Sequence, residues 1–467
     1  MLKGILPPPP PQPIATRFTL PEVTIVNPGQ PRREPTNLAI GDGVVQEIER
    51  LAQTSLTLSQ YSASFVLPGL VDMHTHIPPD NIFGLVPYAC LLYLAFGVTS
   101  VRETGDIDGT AVPAARRGVT TGEFPGPRVF ACGPYIAGKR SRWPNTIILH
   151  DPADAERVVN KIKNDGFNCV KAYDDLTPAQ IRALKAAADK YDLPLIGHIP
   201  TQISYDEGLV PEVQHLLGVP DPSCLRRDHI FERVSNWQSV DENRMQQIVE
   251  ATIRCGIANT PTLVFAHQLL LYEDYAAALR DPIVQLMPRS FTHVLWHPTR
   301  GLPFYRNLFR EELDHLHKAV QVKKELVGRL YRAGAKLFLG TDTLQPFVVP
   351  GASMKSEMQR FAECGVPTER VWELATAEAG KTLRTPMLGT IQKGAPADLL
   401  IFQRDPTSDL SAMDSLRAVI AQGRLYRIED LQAGIEHYQQ RFHNAVYDRF
   451  TRSMARLLIP IIVKRNY

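Results

Sequence analysis

The sequence lacks what would mark several protein classes. No stretch of about 18 apolar residues occurs, so no segment is expected to cross a membrane as a helix. Neither charge sign dominates: 51 Lys and Arg stand against 49 Asp and Glu, a net charge of +2. That balance gives no reason to expect nucleic acid or an anionic membrane surface as partner. Cysteine is scarce and scattered. Cys90, Cys132, Cys169, Cys224, Cys255 and Cys364 form no Cys-x-x-Cys pair. They read as small buried apolar side chains in a reducing compartment, not as a disulfide framework. The opening MLKGILPPPPPQP has one lysine and a three-residue apolar run, too short for the apolar core of a signal peptide, so a cytoplasmic location is expected. Its prolines predict an extended polyproline arm over residues 1–16. No internal repeat of fixed period is found.

What is present is ordinary globular composition at barrel size: 467 residues, 44% hydrophobic and 21% charged. Eight short runs rich in Val, Ile, Leu or Phe have strand character: Phe65–Asp72, Val98–Glu103, Arg128–Cys132, Asn168–Tyr173, Leu193–His198, Glu212–His215, Ile257–Val264 and Lys336–Gly340. Segments between them, such as Ala153–Asn164, Pro178–Tyr191 and Glu242–Cys255, place apolar residues at helical spacing. Strands alternating with helices predict a parallel sheet, and eight units predict a closed (β/α)8 TIM barrel over residues 65–385. The flanks 17–64 and 386–430 carry short strands, one pair around an Asp-Gly turn. Neither flank is stable alone, so together they predict one small β-sandwich domain. The stretch 266–334 is long for one crossover and predicts a lid or outer helices. Residues 431–467 predict a C-terminal helical tail with an apolar stretch, Leu457–Val463, broken by Pro460. A homo-oligomer acting on a small-molecule substrate is the expected assembly.

In such a barrel, function sits at the carboxyl ends of the strands. Those ends carry His74 and His76, Lys171, His198, His215 and Asp342. Residues i and i+2 of a strand share a face, so His74 and His76 can grip one metal ion. Neutral imidazole suits zinc, among other divalent ions. A single histidine is more often structural, but His-x-His directly after the PGLVD strand is a specific signal. Lys171 lies within an apolar strand, where an ammonium loses its hydration. Either a carboxylate pairs with it, or its neutral amine has taken up CO2. The resulting carbamate would be an anionic two-oxygen ligand able to bridge two cations.

The pieces PGLVDMHTH, GVTSVRETG, VKAY, IGH, VQHLLG and LGTDT occur in the order used by the amidohydrolase superfamily, which the chain resembles over roughly residues 38 to 403. GTIQKGAPADLLIF is similar to the strand that returns to that superfamily's small domain. GTDTLQPFVVPGASMKSEMQRFAECGV resembles its imidazolonepropionase- and prolidase-like branch. The resemblance implies two divalent ions, zinc by default. His74, His76 and Asp342 would hold one, His198 and His215 the other, and carboxylated Lys171 would bridge them with a hydroxide. Asp342 would be the general base and then acid in hydrolysis of a C–N bond, as in a dipeptide or N-acyl amino acid.

Tyr173, two residues after Lys171, shares its strand face and could bind the developing oxyanion or simply pack at the rim. Arg102 reads as a structural ion pair in preference to a substrate clamp. His267, after the seventh strand, could face the pocket. His150, His229, His293, His297, His315 and His317 read as surface or packing residues. Three rival readings stand beside this one. A lactonase, esterase or cyclic-amide hydrolase would use the same site. A mononuclear deaminase of the superfamily carries a proton-shuttling Glu three residues after the strand-5 histidine, where this chain has Thr201. A non-catalytic scaffold would have lost ligands that this chain keeps.

Overall fold

The computed structural model describes residues 6–49, 56–81, 83–139, 143–221 and 230–464. Cys224, His229 and the first five residues of the proline arm lie outside the described residues. The chain forms a TIM barrel and a separate β-sheet domain. The sheet gathers both flanks: β1 (Phe18–Ile25), β2 (Thr36–Gly41), β3 (Val44–Ile48), β4 (Leu56–Thr57) and β5 (Phe65–Pro68), joined by three strands from beyond the barrel. Asp42-Gly43, both in the left-handed region at φ 53° and 79°, makes the tight turn between β2 and β3.

The barrel strands are β6 (Leu70–Thr75), β7 (Val98–Glu103), β8 (Arg128–Ala137), β10 (Cys169–Ala172), β11 (Leu195–Gly197), β12 (Glu212–Gln214) and β13 (Ala258–Thr260), paired in parallel in that order. A short β9 (Thr146–Ile148) adds to β8. The eighth run, Lys336–Gly340, closes the ring without forming a full strand. Leu337 bridges Asn259 on one side, and Met73 donates its amide to Leu339 on the other, at 2.9 Å. The last three strands, β14 (Leu399–Phe402), β15 (Leu416–Ala421) and β16 (Arg424–Arg427), complete the flanking sheet in the order β16-β15-β14-β5-β1-β2-β3.

Strand alternation explains how that sheet serves two cores. Val66, Leu399, Ile401 and Ile420 face the small domain's own core, whereas Leu67, Leu400, Phe402 and Val419 join the barrel's. The run read as one strand, Phe65–Asp72, is therefore two. Gly69, following Pro68 at the end of β5, separates β5 from β6, and a Cβ at Gly69 would meet Thr99 Oγ1 at 1.9 Å.

The cysteine reading needs correction. Cys132 and Cys169 are register partners on neighbouring strands, 4.4 Å apart at Cα, and form a disulfide inside the barrel. Thirty-seven residues separate them, so no local spacing betrays the pair. Cys255 is exposed, not buried. No described helix is long and apolar enough to cross a membrane.

Candidate metal centre

Three ligand atoms converge at the barrel mouth. His74, His76 and Asp342 each offer one, and all lie within 4.8 Å of one another. Asp342 Oδ1 stands 3.4 Å from His74 Nε2 and 3.3 Å from His76 Nε2, yet it is buried without a hydrogen-bond partner among the described residues. His215 and His198 stand beside them: ring centroids are 4.5 Å apart for His74 and His215, and 5.2 Å for His198 and His215. Lys171 and Tyr173 line the same cavity.

Each imidazole is oriented from behind. His74 Nδ1 donates to Gln214 Oε1, His76 Nδ1 faces Glu103 Oε1 (3.1 Å) and the Gly105 carbonyl (3.0 Å), and His198 Nδ1 donates to Asp174 Oδ1 at 2.7 Å. His215 Nδ1 is hydrogen-bonded to Thr262 Oγ1 at 2.8 Å. For His74 and His198, which burial keeps neutral, an Nδ1 proton leaves the Nε2 lone pair free, the tautomer a metal ligand needs. Burial would lower His76 as well, but the Asp342 and Glu103 carboxylates outweigh it and hold the group up at about 10, so without an ion it carries both ring protons. Arg233 steadies Asp174 at 3.1 Å. The backbone is bent to fit as well. His215, Thr262 and Asp342 all sit in the left-handed region, at φ 60°, 49° and 60°. Non-glycine residues in that region gather where the surroundings over-determine the conformation.

The electrostatics follow from burial and crowding. Burial keeps His74 and His198 neutral, at about 3 and about 4, and pushes His215 well down. Burial alone would raise the Asp342 carboxyl, but His215, His74 and His76 outweigh it and hold the group well below the usual carboxylate range. Burial pushes Lys171 down to about 8. Its Nζ is buried with no hydrogen-bond partner among the described residues. Three converging ligand atoms beside an orphaned buried amine fit a site that could hold a metal ion.

Arg102 is a structural ion pair. It grips Glu212 with both terminal nitrogens, one at 2.9 Å, and donates Nε to the Met73 carbonyl. Glu212 in turn accepts from Gln214 Nε2 at 2.8 Å, so a continuous chain runs from Arg102 to His74. Removing one partner of a buried pair strands the other charge. Arg102→Met is expected to lower unfolding stability by about 3–5 kcal/mol in denaturant titration. Through Gln214 it should also weaken metal binding by roughly 10–100-fold.

His267 does not reach the cavity. The seventh strand ends at Thr260, and Leu263–Gln268 is a short helix. Two residues along a helix turn about 200°, so Phe265 lines the cavity while His267 faces Arg360, Glu363 and Lys324. Glu357, fully buried, caps that helix through the Leu263 and Val264 amides at 3.1 and 2.6 Å. The sequence reading missed Asp174, Glu103, Gln214, Thr262 and Glu357. For Asp174 and Glu103 a signal existed: each is a carboxylate within three residues of a candidate or at a strand's carboxyl end.

At the carboxyl rim of this barrel, His74, His76 and Asp342 form a group that could hold a metal ion. The family model described as the amidohydrolase family matches residues 65–426, and the chain belongs to that family. It is a hydrolase by that membership. A search of curated proteins finds no match. Among solved structures, the chain is similar to a bottromycin amidohydrolase (TM-score 0.69, 22% identity, 91% of this chain and 90% of that one). It is also similar to a Xaa-Pro dipeptidase with methionine bound in the active site (0.63, 19%, 88% and 100%). A third likeness is to a prolidase complexed with N-methylphosphonate-L-proline (0.62, 17%, 88% and 99%). At these identities the likeness is one of fold.

Proposed function

We propose that this chain hydrolyses a C–N bond of the amide or peptide kind in a small molecule such as a dipeptide or N-acyl amino acid, with two divalent ions at the barrel mouth. The observation that carries the reading is the convergence of ligand atoms from His74, His76 and Asp342 beside the unpartnered amine of Lys171. His74, His76 and Asp342 would hold one ion, His198 and His215 the other. Lys171, carboxylated at Nζ, would bridge them. When bound, such ions supply Lewis acidity that brings a water's pKa toward neutrality and polarises a carbonyl. Zinc suits the donor set.

The chain's own groups do the rest. Asp342 takes the proton of the attacking water at its carboxylate and returns it to the leaving nitrogen. Tyr173, its hydroxyl accepting from Trp143 Nε1 at 3.0 Å and its ring 4.7 Å from His198, is positioned to donate to the substrate's oxygen. Aromatic side chains, Tyr135, Trp143, Phe265 and Tyr305 among them, line that cavity, and would limit the access of water to the reacting bond.

Metal analysis with a substrate panel tests this. The expected content is about two divalent ions per chain, falling in His74→Ala and His198→Ala, with dipeptides or N-acyl amino acids turned over faster than lactones and esters. A metal-free native protein with full activity would overturn the reading, and turnover confined to lactones would reassign the bond.

A further inference from the structure

The family match ends at residue 426, and the described chain continues through two helices, Ile428–His443 and Ala445–Lys464. The second reaches back over the barrel mouth. It is tied to both sides of the cavity. At one side, Tyr447 donates its hydroxyl to the Phe83 carbonyl at 2.7 Å. At the other, Ala455 and Ile459 pack against Val294 and Leu295 in the 266–334 stretch. Phe83, Leu295, Ala455 and Leu458 all line the cavity of about 350 Å³ that holds His74, Lys171 and Asp342.

Away from those polar groups the lining is mostly apolar and includes Phe265, Phe291, Trp296, Leu302 and Phe304. Asp108, a carboxylate at that cavity, is already engaged by the Thr110 amide and hydroxyl. A cavity of this kind gains binding free energy from apolar area removed from water, and its few polar groups orient the reacting end.

We infer that the helix Ala445–Lys464 is the distal wall of the substrate cavity, and that with the Phe291–Phe304 segment it selects substrates carrying a bulky apolar group, such as a medium-length acyl chain, next to the scissile bond. The inference rests on the C–N hydrolase reading for the reaction, but not for the wall. Leu458 is the point to probe, because it lines the cavity and is 37% exposed, so exchanging it leaves the packed core alone.

The experiment uses the metal-loaded full chain and a series from N-acetyl- to N-octanoyl-L-alanine. In the wild type, kcat/KM should climb by about fourfold per methylene until the cavity is full. Leu458→Trp should cut the octanoyl-to-acetyl ratio by about tenfold or more, and Leu458→Ala should move the optimum to longer chains. Calorimetry on Asp342→Asn reads the same preference as affinity, without turnover. If no amide is hydrolysed while the octanoyl compound still binds more tightly and Leu458→Trp removes that advantage, the C–N reading fails and the wall stands. Equal affinity for the acetyl and octanoyl compounds, or a ratio unmoved by Leu458→Trp, would overturn the wall itself.

Discussion

Asp342→Asn is expected to lower kcat by roughly 10²–10⁴-fold, the range for a lost general base, while leaving most of the metal in place. Asparagine keeps the size of the side chain and one neutral oxygen ligand, but it cannot accept a proton. The position is over-determined by its surroundings. The Asp342 amide donates to the His74 carbonyl at 2.8 Å, and the residue sits at φ 60°. Asparagine tolerates that left-handed conformation, so the backbone should be unchanged. The crowd of imidazoles around the carboxylate keeps it ionised in the resting protein despite its burial. Steady-state kinetics with metal analysis on the same sample separates the two effects. Near-normal kcat with metals bound would assign the proton to another group. His267, which the sequence allowed to face the pocket, could not take it, because it faces away from the cavity.

Why some of this was legible in the sequence and some was not comes down to the range of the interactions. His74 and His76 announce themselves because a strand puts i and i+2 on one face, and that geometry is local. Lys171 stands out because a charged side chain inside an apolar strand breaks the local pattern. The orienting residues carry no such mark. Gln214 lies 140 residues from the His74 it holds, and Glu212 lies 110 from Arg102. Nothing in their own neighbourhoods requires those partners; the barrel's closure brings them together. The Cys132–Cys169 pair is hidden for the same reason.

His267 misleads in a different way. The apolar run Ile257–Val264 suggests a strand long enough to keep alternating toward the mouth. Thr262, held by His215 in a left-handed conformation, ends the extended chain early and starts a helix, which changes the period from two to 3.6. The division of Phe65–Asp72 is a milder case, where a Pro-Gly step lets one apolar run serve two sheets.

Lys171→Ala should remove about one of two metal ions and lower kcat by roughly 10³-fold, the size of the several kcal/mol attributed to a metal clamp on the transition state. The argument begins with the burial of the amine: Lys171 is 1% exposed and its Nζ has no hydrogen-bond partner among the described residues. Burial, reinforced by the nearby Arg102 charge, brings it down to about 8 even though Asp342, Glu212 and Asp174 pull the other way. A good share of the side chain is then neutral near pH 8, and a neutral amine is the form that attacks CO2. The nitrogen lone pair forms a bond to the CO2 carbon, one C=O π pair moves onto oxygen and one proton is released, so the neutral amine becomes an anion with two oxygens. Counted from the ammonium, two protons leave. The alanine variant leaves a space of carboxylate shape. Acetate or propionate with excess metal should therefore restore part of both metal content and rate. Lys171→Met separates the bridge from simple packing: it fills the space without supplying an anion, so it should be as inactive as the alanine variant and deaf to added acid. Rescue of both variants alike, or of neither, would leave the amine as a structural lysine, as would a metal-loaded crystal showing an unmodified ammonium at Nζ.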